Sequence, residues 1–157
     1  MTSRGFNWIV AGAAAAAVAF LAVLGLKGSM KLTAEQIAQY AANAGFDGND
    51  LIVAVAVALA ESSGEPDIQG DWTLNGKLVT KGTPGAAATS YGLWQIHWTV
   101  HPETYSSSPS ELFDPQVNAN AAFSVWKAAG GSFSPWSTFN NAMYAKYLDT
   151  ASEGVNA

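Results

Sequence analysis

A chain of 157 residues without cysteine has room for one domain and an appendage, and it excludes disulfides and thiolate-ligated metals. The formal net charge is −5, and the part from residue 31 onward carries five basic against twelve acidic residues, net −7. A nucleic-acid binder needs a basic face to displace counterions, so that class is excluded, while a neutral or amphoteric polymer stays compatible as a substrate.

Phe6 to Leu26 is a run of 21 residues in which Asn7 is the one clearly polar side chain. As a helix it spans roughly 30 Å, about one hydrocarbon core. Arg4 precedes it, and Lys27 and Lys31 come after it. The run reads as an uncleaved N-terminal membrane anchor. Its very short N-terminal flank favours the folded part lying outside the cytoplasm, although charges at both ends give little orientation by themselves. A cleaved signal peptide and a helix packed among protein partners are the other readings. The signal peptide needs a small-x-small site, and Leu26-Lys27-Gly28 puts a large residue at the outer position. Residues 1–31 are therefore expected to be anchor and linker.

Thr33 reads as a helix N-cap, with Gln36 three residues later completing a capping box. The helix Ala34 to Ala44 then stops at Gly45. Asn49 or Asp50 is expected to cap the next helix, Leu51 to Ser62, which is nearly all apolar through Ala60. A helix apolar on every side is surrounded by protein, so this one is expected at the centre of the domain, ended by Gly64 and Pro66. Trp72 to Leu74 and Lys77 to Thr80 flank Asn75-Gly76, a pair suited to the two positive-φ positions of a type I′ hairpin turn. Lys81 to Thr89 reads as a loop. Tyr91 to Trp98 reads as a short strand or helix, and Pro102 breaks the segment after it. Asp114-Pro115 opens a helix that runs to about Ala129 and ends at Gly130-Gly131. A last helical stretch covers about Asn140 to Thr150, and the chain is expected to fray from Ala151. The sum is an α+β fold, mainly helical, with a small β-hairpin after the central helix. The domain is placed at residues 32–150, with a flexible tail at 151–157.

Glu61 is the most informative residue. It closes the apolar run Val53 to Ala60 and precedes Ser62-Ser63-Gly64. Burial disfavours a carboxylate, and so does the negative end of a helix dipole, so both push its pKa toward the range of a general acid. The alternative is an exposed glutamate in the last turn, with the apolar run packing elsewhere.

Ala60-Glu61-Ser62-Ser63-Gly64, with Ser90-Tyr91-Gly92-Leu93-Trp94-Gln95-Ile96 about thirty residues later, resembles the soluble lytic transglycosylase and goose-type lysozyme superfamily. Asp114-Pro115-Gln116-Val117-Asn118 with Ala121-Ala122 is similar to the third element of that family, and the ordered set covers about residues 32–150. The resemblance implies a lysozyme-like domain that cleaves peptidoglycan glycan strands without a cofactor or metal, with Glu61 protonating the glycosidic oxygen. It implies that Ser62 orients the acid or the sugar, or else caps the helix end. Gln95 and the backbone around Tyr91 and Gly92 are expected to line the saccharide cleft, unless Gly92 is simply a turn glycine. Asn118 either reaches the cleft or hydrogen-bonds within the helix start. Trp94 stands where the family commonly has methionine, and it either stacks on a sugar or fills the core. The family's later Ala-Tyr-Asn segment is not clearly present, and Tyr144 or Tyr147 is the candidate substitute for its tyrosine. His97 and His101 are four apart, but Pro102 disrupts helical geometry, and no metal site is expected there.

A hydrolysing glycosidase uses a second carboxylate, for which Asp67 and Asp71 are the nearest candidates in sequence. A lytic transglycosylase needs Glu61 alone, as acid and then as base toward the muramic acid 6-hydroxyl. No aspartate stands in a motif as well defined as that of Glu61, so the expected product is 1,6-anhydro-muramic acid. A non-catalytic peptidoglycan-binding module and a structural virion or secretion component are the readings from other classes. A small tethered wall-cutting domain suits a bacteriophage entry or lysis enzyme or an envelope-remodelling factor, with virion or envelope proteins as partners.

Overall fold

In the computed structural model, which describes residues 30–100 and 108–157, the first helix, α1, spans Ala34–Ala44. Its capping box forms as the sequence requires. The Gln36 N–H donates to Thr33 Oγ1 at 3.3 Å, and the Thr33 N–H donates to Gln36 Oε1 at 3.0 Å. Gly45 closes the helix at φ 118°, a conformation that suits a residue without Cβ. The apolar run Phe6 to Leu26, with His101 and Pro102, lies outside the described residues. Among the described residues no helix is long and apolar enough to cross a membrane.

Helix α2 spans Gly48–Ser62 and starts three residues before the expected Leu51. Its N-cap is Asp47 rather than Asn49 or Asp50, and the cap makes no side-chain hydrogen bond. Ala54, Val55, Ala56, Val57 and Ala58 are all fully buried. Consecutive residues point in every direction around a helix, so this burial means protein on all sides. Burying Val55 and Val57 stabilises the fold by roughly 1.5–3 kcal/mol each. The surrounding elements are α1, the short helix α4 (Ser137–Asn140), the 3-10 turn Met143–Tyr147 and the last helix, α5 (Leu148–Val155).

Five two-residue strands come after α2: β1 (Gln69–Gly70), β2 (Thr73–Leu74), β3 (Lys77–Leu78), β4 (Ser90–Tyr91) and β5 (Ile96–His97). Strands β2 and β3 form the expected hairpin, with Asn75 and Gly76 both at positive φ. The sequence does not announce a second sheet. Strands β1, β4 and β5 pair antiparallel in that order, with Gln69 opposite Tyr91 and Ser90 opposite His97. Strands this short carry no periodicity, which is why the pairing is invisible in the sequence.

Helix α3 spans Pro115–Ala128, and Asp114 caps it by accepting from the Gln116 and Val117 N–H groups. The expected helix Asn140 to Thr150 is instead α4, a 3-10 turn and α5, broken where Ala142 takes φ 61°. The expected fraying from Ala151 is not what the structure shows. Ala151 is fully buried, and α5 packs against α1 and α2. Gly154 lies so close to α1 that a Cβ there would meet Ala34 at 2.6 Å, so its lack of a side chain is what lets the helix dock.

Candidate active site

Glu61 lies in the last turn of α2, half-buried, and its carboxyl is pushed above the usual value. Burial is the main cause, and the charge of Asp71 adds to it. The Thr138 hydroxyl, which donates to the carboxyl, and the nearby Thr138 backbone N–H act in the opposite direction. The hydroxyl bond is 2.6 Å long, from Thr138 Oγ1 to Glu61 Oε1. Thr138 is buried and sits on α4, so it reaches Glu61 from the opposite end of the chain. Burial outweighs these donors, and the result is a carboxyl biased toward its protonated, proton-donating form.

Asp71 sits between β1 and β2 at φ 48°, an uncommon conformation for a residue other than glycine. Both its backbone and its side chain are held. The Thr89 hydroxyl donates to the Asp71 carbonyl at 2.6 Å, and the Ser90 hydroxyl donates to Asp71 Oδ2. Asp67 is exposed and is not among the charges that act on Glu61. Of the two aspartates expected near the acid, the structure brings in Asp71.

Most of the expected cleft residues are occupied with the protein itself. Ser62 is buried; its hydroxyl donates to the Ala58 carbonyl at 2.8 Å and accepts from the Gly64 N–H at 3.1 Å. It shapes the helix end and does not orient Glu61. Asn118 is fully buried and uses its whole amide. Its Oδ1 accepts from the Trp94 N–H at 2.8 Å, and its Nδ2 donates to the Tyr91 and Leu112 carbonyls, each at 2.9 Å. Asn118 therefore staples the 91–94 segment to α3 and offers nothing to a sugar. Gly92, at φ 75°, admits that staple, since a Cβ there would lie 2.2 Å from the Leu112 carbonyl oxygen and 2.3 Å from Asn118 Nδ2. The close approach it permits is to protein, not to saccharide. Tyr91 turns its hydroxyl to the Ala88 carbonyl at 2.6 Å and rests its ring edge-on against Phe113. Trp94 is fully buried and donates from Nε1 to the Ala54 carbonyl in α2, while Trp136 donates to the Trp94 carbonyl, so Trp94 fills the core. Tyr144 is half-exposed and stacks on Phe139, the residue after Thr138, with ring centres 4.8 Å apart.

Gln95 lies between the two sheet segments and an open cavity. It is half-buried at φ 46°, donates from Nε2 to the Ile68 and Gly92 carbonyls, and packs against Gly70 beside Asp71. It also walls a cavity of about 480 Å³ shared with His97, Val125 and Trp136. Glu61 and Asp71 are not in those walls, so the cavity does not contain the two carboxyls. Sequence reasoning missed Thr138, Thr89 and Ser90 as groups that hold the carboxyls. Thr138 and Glu61 are 77 positions apart, and no motif marks the threonine. No group of three or more metal-ligating side chains that could hold an ion occurs among the described residues.

A half-buried carboxyl with a raised pKa closes a helix that is buried along its middle, and a small antiparallel sheet comes after it. The family model described as a lysozyme like domain matches residues 38–138, and the chain belongs to that family. The matched span contains Glu61, Asp71, Ser90, Gln95, Asn118 and Thr138. No curated protein and no solved structure matches the chain. Membership places the chain in the lysozyme-like and lytic transglycosylase superfamily, a glycosidase-type group acting on peptidoglycan.

Proposed function

We propose that this protein cuts the β-1,4 bond between N-acetylmuramic acid and N-acetylglucosamine in peptidoglycan, with Glu61 as the general acid. The observation that carries the reading is the half-buried Glu61 carboxyl, displaced toward its protonated form and held by Thr138. Glu61→Gln is nearly isosteric and keeps an acceptor for Thr138, but it cannot give up a proton. It is expected to fold and to lose at least ~100-fold of wall-lytic activity. Lysis at the wild-type rate by the folded variant sinks the proposal.

Asp71 bears on what captures the sugar after the bond breaks. Its charge reaches Glu61, and Ser90 and Thr89 hold it in place, which favours hydrolysis with Asp71 activating water. The resemblance of residues 60–64 and 90–96 to soluble lytic transglycosylases favours the second reading, capture by the muramic acid 6-hydroxyl with Glu61 alone. Mass spectrometry of the digestion products separates the two. Reducing ends, with Asp71→Asn losing roughly 100-fold of activity, support hydrolysis. Products lighter by one water, with Asp71→Asn active, support transglycosylation.

The apolar run Phe6 to Leu26 supports a membrane tether, with the catalytic domain outside the cytoplasm or carried on a virion. The α1 capping box at Thr33 gives the domain its own start, so removing residues 1–30 is expected to leave a folded, detergent-independent protein. If the full-length chain stays in solution without detergent or partner, the tether is wrong.

A further inference from the structure

We infer that Thr138 is a positioning residue for Glu61: it holds Oε1 as an acceptor and so leaves Oε2 to carry the proton that reaches the glycosidic oxygen. The inference rests on the reading of Glu61 as the acid. A carboxyl in the last turn of a helix can turn about its side-chain torsions, and its two oxygens are chemically equivalent until a neighbour distinguishes them. Thr138 does so by placing its hydroxyl 2.6 Å from Oε1. Its own freedom is small, because a β-branched side chain has few rotamers and Thr138 is buried. The backbone around it is fixed as well. Phe139 and Asn140 each donate to the Trp136 carbonyl, and the Trp136 ring nitrogen is bonded to the Trp94 carbonyl in the core.

This arrangement acts at the moment of cleavage. The electron pair of the C1–O bond passes to the leaving oxygen, which takes the Oε2 proton, and Glu61 becomes a carboxylate. The Thr138 hydroxyl already points at that carboxyl, so the new charge meets a donor that needs no rearrangement. Water or an internal hydroxyl then captures C1 and gives up its proton to a carboxylate. Thr138 therefore favours departure of the proton, whereas burial favours its retention.

Thr138→Val removes the hydroxyl but keeps the shape and the backbone N–H. On soluble glycan strands of defined length, it is expected to lower kcat roughly tenfold with little change in KM. It is also expected to move the alkaline limb of the pH profile to higher pH, because the charged form of Glu61 has lost a donor. Thr138→Ser keeps the hydroxyl and is expected to restore both the rate and the limb. If valine disturbs packing, as shown by a lowered unfolding temperature, Thr138→Ala carries the same test. A folded Thr138→Val or Thr138→Ala protein with wild-type kcat and an unmoved limb overturns the inference. So does a Thr138→Ser protein that behaves like valine. Glu61→Gln measured beside them separates the two claims: if it is inactive while Thr138→Val is normal, only the role of Thr138 fails. If it is active, the acid itself is misassigned.

Discussion

The two carboxyls of the site stand on supports of different kinds. Glu61 ends a helix whose residues 54–58 are fully buried, so nonpolar packing on every side fixes its backbone. Asp71 lies in a segment of two-residue strands and positive-φ residues, where Asp71, Asn75, Gly76, Gly92 and Gln95 all take left-handed conformations. Individual polar bonds hold that segment: Asn118 to residues 91–94, Trp136 to Trp94, and Thr89 and Ser90 to Asp71. Packing spreads stability over many contacts, so its failure is gradual. Polar staples concentrate stability in a few atoms, and a buried group that loses its partner costs its full desolvation. The helix that carries Glu61 is thus expected to tolerate conservative exchange, and the sheet to fail at single positions.

The largest effect is expected at Asn118. Asn118→Ala removes the side chain that bonds the Trp94 N–H and the Tyr91 and Leu112 carbonyls. The expected loss of stability is about 4 kcal/mol, read by urea unfolding. Val55→Ala, a conservative truncation in α2, is expected to cost about 2 kcal/mol in the same assay. Equal costs at the two sites contradict the distinction between them.

The same distinction explains what was legible in the sequence. The burial of α2 follows from the apolar run 53–60, and the α1 cap from Thr33 and Gln36, because both signals are local and periodic. Glu61 stood out because it breaks an apolar run. The hold on Glu61 by Thr138 and the pairing of β1 with β4 were not legible, since they join residues distant in sequence. Asn118 and Gly92 were legible as members of a pattern but not in their roles. A short motif marks that a residue matters, and it does not show whether its polar atoms face a sugar or the core. The docking of α5 escaped for a related reason: the small residues Ala151 and Gly154 look like a frayed tail in composition, and they are what close packing on α1 requires.

The third effect is pH-dependent and concerns the helix. Glu61 has a raised pKa in the folded state, so over the window between its ordinary value and the raised one the folded protein binds more protons than the unfolded chain. Stability therefore falls as pH rises through that window, and the full contribution is present only below the ordinary value. Glu61→Gln removes the titration. The variant is expected to unfold at a higher temperature than wild type near neutral pH, with the difference shrinking toward pH 4. A difference independent of pH, or of the opposite sign, contradicts the burial of this carboxyl as the dominant cause.

The smallest effect on stability, and the sharpest on the comparison, is expected at Ser90. Ser90 is buried, and its hydroxyl donates to Asp71 Oδ2. Asp71 is itself exposed, so when the hydroxyl is removed water can take its place on the carboxylate. Ser90→Ala is therefore expected to cost only about 1 kcal/mol. Its effect on turnover depends on what Asp71 does. If Asp71 activates water, its carboxylate must keep a fixed direction toward the sugar, and the loss of Ser90 is expected to lower kcat roughly tenfold while Glu61 keeps its alkaline limb. If the sugar is captured by its own 6-hydroxyl, Asp71 has no step to perform, and Ser90→Ala is expected to turn over at the wild-type rate. The measurement is kcat for Ser90→Ala beside Asp71→Asn on the same glycan strands. A loss in both assigns a catalytic function to the polar-stapled segment, and a loss in neither leaves the chemistry with Glu61 on its packed helix. A loss in Asp71→Asn alone shows that the serine is dispensable and that the strained backbone at residue 71, secured by Thr89, is enough to aim the carboxylate.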